Sequence, residues 1–214
     1  LLSQIIVDKF LYHLPEYRQA KRFKELGVEI TTSSINRWVH VMADKLYGLY
    51  AAQMERVLSA GYIQVDETTH PITDRPGSAR KGYIWVVRSV LFPGVFFYYD
   101  KGSRSQEVVL KMLKGYQGAL QTDGYAAYSI FEEKKGVLPL GCMAHVRRKF
   151  EHALTTTPEA KPALDYIALL YMLEANLRAE GADREQIRRE REDKAYPILQ
   201  QMEAWMTRMF NTCT

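Results

Sequence analysis

The sequence predicts an α/β fold: a mixed five-stranded sheet with flanking helices, preceded by an N-terminal helical region and followed by a C-terminal helical insertion. Apolar residues recur at helical spacing in residues 1–60 and again in residues 154–214. Between them, β-rich runs alternate with helical ones, as in α/β proteins. No run approaches the roughly 20 apolar residues that cross a bilayer, so we expect no membrane partner.

Residues 1–60 predict three helices. Pro15 suits the first turn of the second helix, Gly27 suits its end, and Thr32–Ser34 offers an N-cap for a third helix that continues to about Leu58. This outline is typical of a helix-turn-helix, which predicts a DNA-binding region. A plain helical bundle with solvated basic residues is the alternative. The candidate phosphate contacts here are Lys21, Arg22 and Arg37.

Residues 61–153 predict three strands, a helix, a strand, a helix, a strand and a basic helix that starts near His145. Pro93-Gly94 is a turn signal, so the second and third strands should be antiparallel. The predicted strands are Tyr62–Val65, Gly82–Val90, Val95–Asp100, Gly118–Thr122 and Val137–Met143. A helix through Val108 to Leu113 and another over Tyr125–Glu133 lie between them. This element order is also that of the ribonuclease-H-like fold.

Residues 154–214 predict further helices. Pro162 can start a helix that Gly181 ends, and Asp183 can cap the next one. The mixed charges of residues 188–192 indicate a solvated face, and Pro197 should break or kink the helix.

Composition limits the function classes. The net charge is +4, and residues 61–153 carry most of the basic excess, with 13 Lys and Arg against 9 Asp and Glu. A mild basic excess is weak support for a nucleic-acid partner. Cys142 and Cys213 have no C-x-x-C spacing, so no zinc ribbon or disulfide framework is indicated, and a reducing, cytoplasmic compartment fits best.

Two acids stand at predicted strand ends: Asp66 after the first strand and Asp123 after the fourth. Ligands of open α/β sheets gather at the carboxyl ends of strands. Two adjacent carboxylates repel each other unless a cation or a shared proton lies between them, and hard oxygen ligands suit Mg²⁺ or Mn²⁺. The alternative for each acid is an ordinary cap or turn residue.

Several motifs together resemble those of the insertion sequence 66 transposases, and the resemblance covers nearly the whole chain. Four of them follow in register: Val65-Asp66-Glu67-Thr68, Ala79-Arg80-Lys81-Gly82-Tyr83-Ile84-Trp85, Gln121-Thr122-Asp123-Gly124-Tyr125-Ala126-Ala127-Tyr128 and Cys142-Met143-Ala144-His145-Val146-Arg147-Arg148-Lys149-Phe150. Four motifs in one order are far more specific than one short pattern. The segments His13–Gln19 and Ser34–Val39 are similar to that family too.

The resemblance implies an Asp-Asp-Glu transposase with a ribonuclease-H-like core. Asp66 would be the first acid and Asp123 the second, binding Mg²⁺ or Mn²⁺. The third acid, a Glu, would lie in an Asn-Asn-Ala-Glu-Arg-type segment that these 214 residues do not contain. We therefore expect a piece of a longer protein that is inactive alone. Glu151 is the only local substitute, although the family pattern places the Glu elsewhere.

The implied partners are transposon-end and target DNA, in a homo-oligomer. Water would cut the transposon end, and the freed 3′-OH would attack the target strand without a covalent enzyme intermediate. Residues 1–60 would form a DNA-binding region, residues 61–153 an incomplete ribonuclease-H-like catalytic core, and residues 154–214 a helical insertion. Another ribonuclease-H-like nuclease, such as a junction resolvase, and an inert DNA-binding module are the alternatives. Further candidate phosphate contacts are Arg80, Lys81, Arg104, His145, Arg147 and Arg148.

Overall fold

A computed structural model of the chain describes residues 1–75 and 77–212; Cys213 lies outside the described residues. The helices are α1 (Leu2–Phe10), α2 (Glu16–Glu25), α3 (Thr32–Leu58), α4 (Gln106–Met112), α5 (Met143–Ala153), α6 (Lys161–Ala179), α7 (Arg184–Glu190) and α8 (Tyr196–Thr212). The strands are β1 (Tyr62–Arg75), β2 (Ser78–Ser89), β3 (Val95–Tyr98), β4 (Gly118–Thr122) and β5 (Val137–Gly141). No helix in the described part of the chain combines the length and apolar character of a membrane span.

The chain divides into two compact units. The first, called the sheet unit here, comprises Leu1–Leu120 and Ala127–Pro139. The second, called the helical unit, comprises Gln121–Ala126 and Leu140–Thr214. Each is described separately below.

The first three helices pack around a small apolar cluster of Ile5, Ile35 and Val39, all buried. Thr31 is the N-cap residue of α3, and its hydroxyl accepts a hydrogen bond from the Ser34 N–H at 3.2 Å. The N-cap therefore lies one residue before the predicted candidates. The cap satisfies one of the backbone donors that a helix start leaves unpaired.

The sheet is mixed and five-stranded, in the order β3-β2-β1-β4-β5. β2 and β3 pair in antiparallel fashion, as predicted, and β1 also pairs with β2 in antiparallel fashion. The predicted Pro93-Gly94 turn is confirmed, because the Ser89 N–H donates to the Gly94 carbonyl at 2.9 Å. The core of the sheet unit includes the fully buried side chains of Ile63, Trp85, Val87, Val109, Leu113, Leu120 and Phe131.

The first two strands are longer than the sequence predicts. Their register runs from Ile63 opposite Ser89 to Arg75 opposite Ser78, so the predicted end of the first strand at Asp66 is wrong. Threonine and isoleucine after Asp66 favour a strand, but the polar residues and Pro71 resemble a loop. Pairing with β2 across the hairpin decides the outcome.

A close backbone contact joins β4 to the start of β1. The Ala119 N–H donates to the Gly61 carbonyl at 2.9 Å, and the Gly118 N–H donates to the Gly136 carbonyl at 2.8 Å. Gly118 has a φ of +128°, and a Cβ there would lie 2.5 Å from the Gly61 oxygen. Only glycine fits both the backbone angle and the space.

The predicted helix over Tyr125–Glu133 is shorter and tighter, a 3₁₀ helix over Ala126–Phe131. Gly124, with a φ of +80°, precedes it, and the Val137 N–H bonds the Lys134 carbonyl just after it. The six residues of this helix form two tight turns at three residues per turn.

The helical unit forms around α5, α6 and α8. Ala163 and Ile167 of α6 and Met202 of α8 are buried, with Phe150 of α5 and Trp205 of α8 packed against them. α6 and α8 therefore pack against each other, as do α5 and α6.

The segment between α7 and α8 contains the predicted charged face. Asp183 caps α7 by accepting the Gln186 N–H at 2.8 Å, as predicted. Arg188 pairs with Glu185 and Glu192, which confirms a solvated run of mixed charge. Residues Arg191–Ala195 form a wide π-helical turn before Pro197. The disturbance of the helix thus lies upstream of the proline, where such turns accommodate an irregular hydrogen-bond ladder.

Candidate active site

Asp66 lies within β1, on its exposed side. It stands opposite Val86 in the β1–β2 register, and its neighbours Val65 and Glu67 point to the other face of the strand. Val65 is buried and Asp66 is exposed, so alternation presents the Asp66 carboxylate to solvent. One carboxylate oxygen accepts the Glu67 N–H at 2.9 Å. The strand thus holds the acid in a defined orientation.

Asp123 directly follows β4, as predicted. Its Oδ1 accepts the Tyr125 N–H at 2.9 Å, and the Thr122 hydroxyl accepts the Gly124 N–H at 3.3 Å. These side-chain bonds build a tight turn that the positive φ of Gly124 completes. No atom lies within 4 Å of the position that a Cβ of Gly124 would take, so the space beside Asp123 is open. The carboxylate is half-buried and its orientation is fixed.

Glu67 is a functional candidate that sequence reasoning missed. Its side chain is only 3% exposed and forms an ion pair with Arg104, whose Nε donates to Oε1 at 2.6 Å. The Tyr128 hydroxyl donates to Oε2 at 3.2 Å. Because Glu67 shares the core side of the strand with Val65, the alternation of β1 contained the signal of a buried acid. A buried carboxylate requires partners of this kind.

Arg104, a predicted phosphate contact, is therefore engaged inside the sheet unit. Besides pairing with Glu67, its guanidinium lies over the Tyr83 ring, 5.3 Å from the centroid. The Trp85 indole donates to the Ser103 carbonyl at 3.1 Å and meets the Tyr128 ring edge-on. Together these contacts connect the loop before α4 to β1 next to Asp66.

The two other predicted cations of the sheet differ in position. The Arg80 guanidinium donates to the Lys101 carbonyl at 3.2 Å. The Lys81 ammonium lies 5.5 Å from the centroid of the Tyr83 ring. Both residues are exposed, and they occupy opposite faces of β2.

The predicted cations of the N-terminal helices also differ. Arg22 forms an ion pair with the buried carboxylate of Asp8, which also accepts from the Gln4 amide at 2.7 Å. Lys21 and Arg37 are exposed, with the Lys21 side chain 78% accessible. Arg22 thus stabilises the contact between α1 and α2, whereas Lys21 and Arg37 are available at the surface.

The predicted cations of α5 belong to the helical unit. Arg147 and Arg148 are exposed and His145 is half-buried. Arg147 pairs with Glu151 at 2.8 Å and lies 5.9 Å from the centroid of the Tyr171 ring. Glu151, the local substitute for a third acid, is thus half-exposed and bound to an arginine.

The donor chemistry of the two aspartates suits a hard divalent cation, since both offer carboxylate oxygens. Among residues 1–75 and 77–212, no group of three or more His, Cys, Asp and Glu side chains converges as a metal site would require. Asp66 lies in the sheet unit and Asp123 in the helical unit.

Comparison with known proteins identifies the family. The profile described as "Transposase IS66 family" matches residues 1–213. Three similar proteins of Sinorhizobium fredii are all named as uncharacterized: y4jD, 31% identical over 95% of this chain; y4qI, 30% over 89%; and y4hP, 30% over 97%. The matches cover 42%, 39% and 42% of those proteins, so the chain spans about two fifths of their length. No solved structure matches the chain. The chain belongs to the IS66 family of transposases.

Proposed function

We propose that this chain contributes the first two metal-binding acids, Asp66 and Asp123, to a DNA transposase that cuts phosphodiester bonds and transfers strands. The family match over residues 1–213 carries this proposal. The strand order β3-β2-β1-β4-β5 supports a ribonuclease-H-like core, with one acid in β1 and the other directly after β4.

Backbone N–H groups orient the carboxylates of both acids. The backbone of β1 orients the exposed Asp66 carboxylate, and the Tyr125 N–H orients that of Asp123. Mg²⁺ or Mn²⁺ bound by such carboxylates would supply Lewis acidity for attack at phosphorus and for departure of the leaving oxygen. We propose that a third acid completes the site from outside these 214 residues, because the family resemblance places that Glu in a segment this chain does not contain; Glu151, the local substitute, pairs with Arg147.

The DNA partner would be held mainly through its phosphates. Lys21 and Arg37 of the N-terminal helices and Arg148 of α5 are exposed cations that can supply charge without reading sequence. Residues 1–60 are proposed as a DNA-binding region, residues 61–153 as the incomplete core and residues 154–214 as an insertion. A homo-oligomer on paired DNA ends and a cytoplasmic location are proposed from the resemblance.

The test is cleavage of transposon-end DNA by the longer transposase that contains this chain. Asp66→Asn and Asp123→Asn each remove one ligand charge at constant size. Each should lower the cleavage rate by about a thousandfold, since metal stabilisation of the transition state amounts to several kcal/mol. The matched control is Asp44→Asn, at an exposed acid on α3, which should leave the rate unchanged. Cleavage that persists in both site variants would refute the assignment of these acids.

A further inference from the structure

The β1–β2 hairpin extends beyond the strand that flanks it. β3 pairs only with Trp85–Arg88 of β2, whereas β1 and β2 stay paired out to Arg75 opposite Ser78. After β3, the chain still lies beside β2 at Tyr83, whose N–H donates to the Gly102 carbonyl at 3.2 Å. Residues 68–73 and 78–82 form a two-stranded ribbon that continues from the position of Asp66.

The register assigns the side chains of this ribbon to two faces. Asp66, Thr68 and His70 alternate along β1 and share one face. Arg80 stands opposite Ile72 in β2, and Ile72 is the next residue of that face. The name Asp66 face is used below for the face formed by Asp66, Thr68, His70 and Arg80.

The Asp66 face presents hydrogen-bond donors to solvent beside the candidate catalytic acid. Thr68, His70 and Arg80 are all exposed, and each can donate to a phosphate oxygen. The bond from the Arg80 guanidinium to the Lys101 carbonyl holds that cation in place. A cation already held by the fold loses less conformational freedom when it binds a phosphate.

The opposite face of the ribbon packs within the sheet unit, and on the Asp66 face Ile72 lies beside Gly102. Thr69 stands opposite Tyr83 and Pro71 opposite Lys81 on this side. Lys81 and Arg104 both lie against the Tyr83 ring, and Arg104 continues to the buried Glu67. Each face of the ribbon thus carries a threonine and a basic residue, but the basic residue Lys81 of the opposite face lies against the Tyr83 ring.

We propose that the Asp66 face binds the phosphate backbone of duplex DNA and leads one strand towards Asp66. Thr68 and His70 contact successive positions along the backbone, and Arg80 neutralises a phosphate near the ribbon's outer part. This inference rests on the proposed function, and it assigns the DNA contact to Arg80 rather than to Lys81.

The test compares the two faces of the ribbon in the 214-residue chain. Binding to a fluorescein-labelled 30-base-pair duplex of arbitrary sequence is measured by anisotropy without divalent metal. The Asp66-face variant is Thr68→Val with His70→Asn and Arg80→Gln. The matched opposite-face variant is Thr69→Val with Lys81→Gln. Thermal unfolding of both variants shows that the fold is retained.

The Asp66-face variant should bind about tenfold more weakly, and Arg80→Gln alone should lower the salt slope of log K by about 1. The opposite-face variant should change affinity by less than about twofold. Equal losses on both faces, unchanged binding in the Asp66-face variant, or a chain that does not bind the duplex would each overturn the inference. Metal binding by Asp66 and Asp123 is read separately, so the proposed function can stand when this inference fails.

Discussion

Replacing Arg104 by alanine is expected to destabilise the sheet unit by about 3 kcal/mol, because the change leaves the Glu67 carboxylate buried without its cation. The Glu67 side chain is only 3% exposed, so the carboxylate depends on protein donors rather than on water in the folded chain. The Tyr128 hydroxyl, which donates to Glu67 at 3.2 Å, is neutral and offsets only part of the loss. Urea unfolding, with hydrogen exchange of β1 and β2 amides to locate the effect, measures the change.

The control for this prediction is Arg88→Ala, at an exposed arginine on the same strand pair. It should cost no more than about 0.5 kcal/mol. The double variant Glu67→Met with Arg104→Met should recover much of the lost stability, since it removes both charges together. If Arg104→Ala costs no more than Arg88→Ala, Glu67 is not buried as described.

Gly118→Ala is expected to destabilise the chain by about 3 kcal/mol, because it combines an unfavourable backbone angle with a clash. Gly118 has a φ of +128°, and a Cβ would lie 2.5 Å from the Gly61 carbonyl oxygen and 2.9 Å from its carbon. Backbone atoms cannot move aside without separating β4 from β1. The same urea titration measures the free energy of unfolding.

Gly115→Ala is the matched comparison for this strand contact. Gly115 also has a positive φ, of +77°, but no atom lies within 4 Å of its Cβ position. It should cost only about 1 kcal/mol, the penalty of the backbone angle alone. Equal costs at the two glycines would contradict the close contact between β1 and β4, and with it the strand order that supports the proposed core.

Local signals predicted much of this fold. The positions of β4 and of the Asp183 cap follow from turn and cap residues that act on their own neighbours. Asp123 was predicted correctly as the residue after β4, because the Asp-Gly pair that follows the strand is a strong turn signal.

The features that were not predicted depend on strand pairing and side-chain contacts that the local pattern does not show. β1 continues past Asp66 only because β2 pairs with it, and the polar residues after Asp66 gave no warning of that pairing. Glu67 becomes a buried ion-pair partner because Arg104, 37 residues away, reaches it. Arg22 is tied to Asp8 for the same kind of reason. The sequence shows which residues are charged, but it does not show which of them form ion pairs within the folded chain.

The most direct test of the central claim, that Asp66 and Asp123 bind one divalent cation, is Mn²⁺ calorimetry on the 214-residue chain. The proposal predicts weak binding, with a Kd on the order of 10⁻⁴ M because one of three expected carboxylates is absent. Binding should disappear in Asp66→Asn and in Asp123→Asn, and it should remain in Asp44→Asn. Mn²⁺ binding that survives both site substitutions would contradict the claim and leave a DNA-binding module without a metal site as the better description.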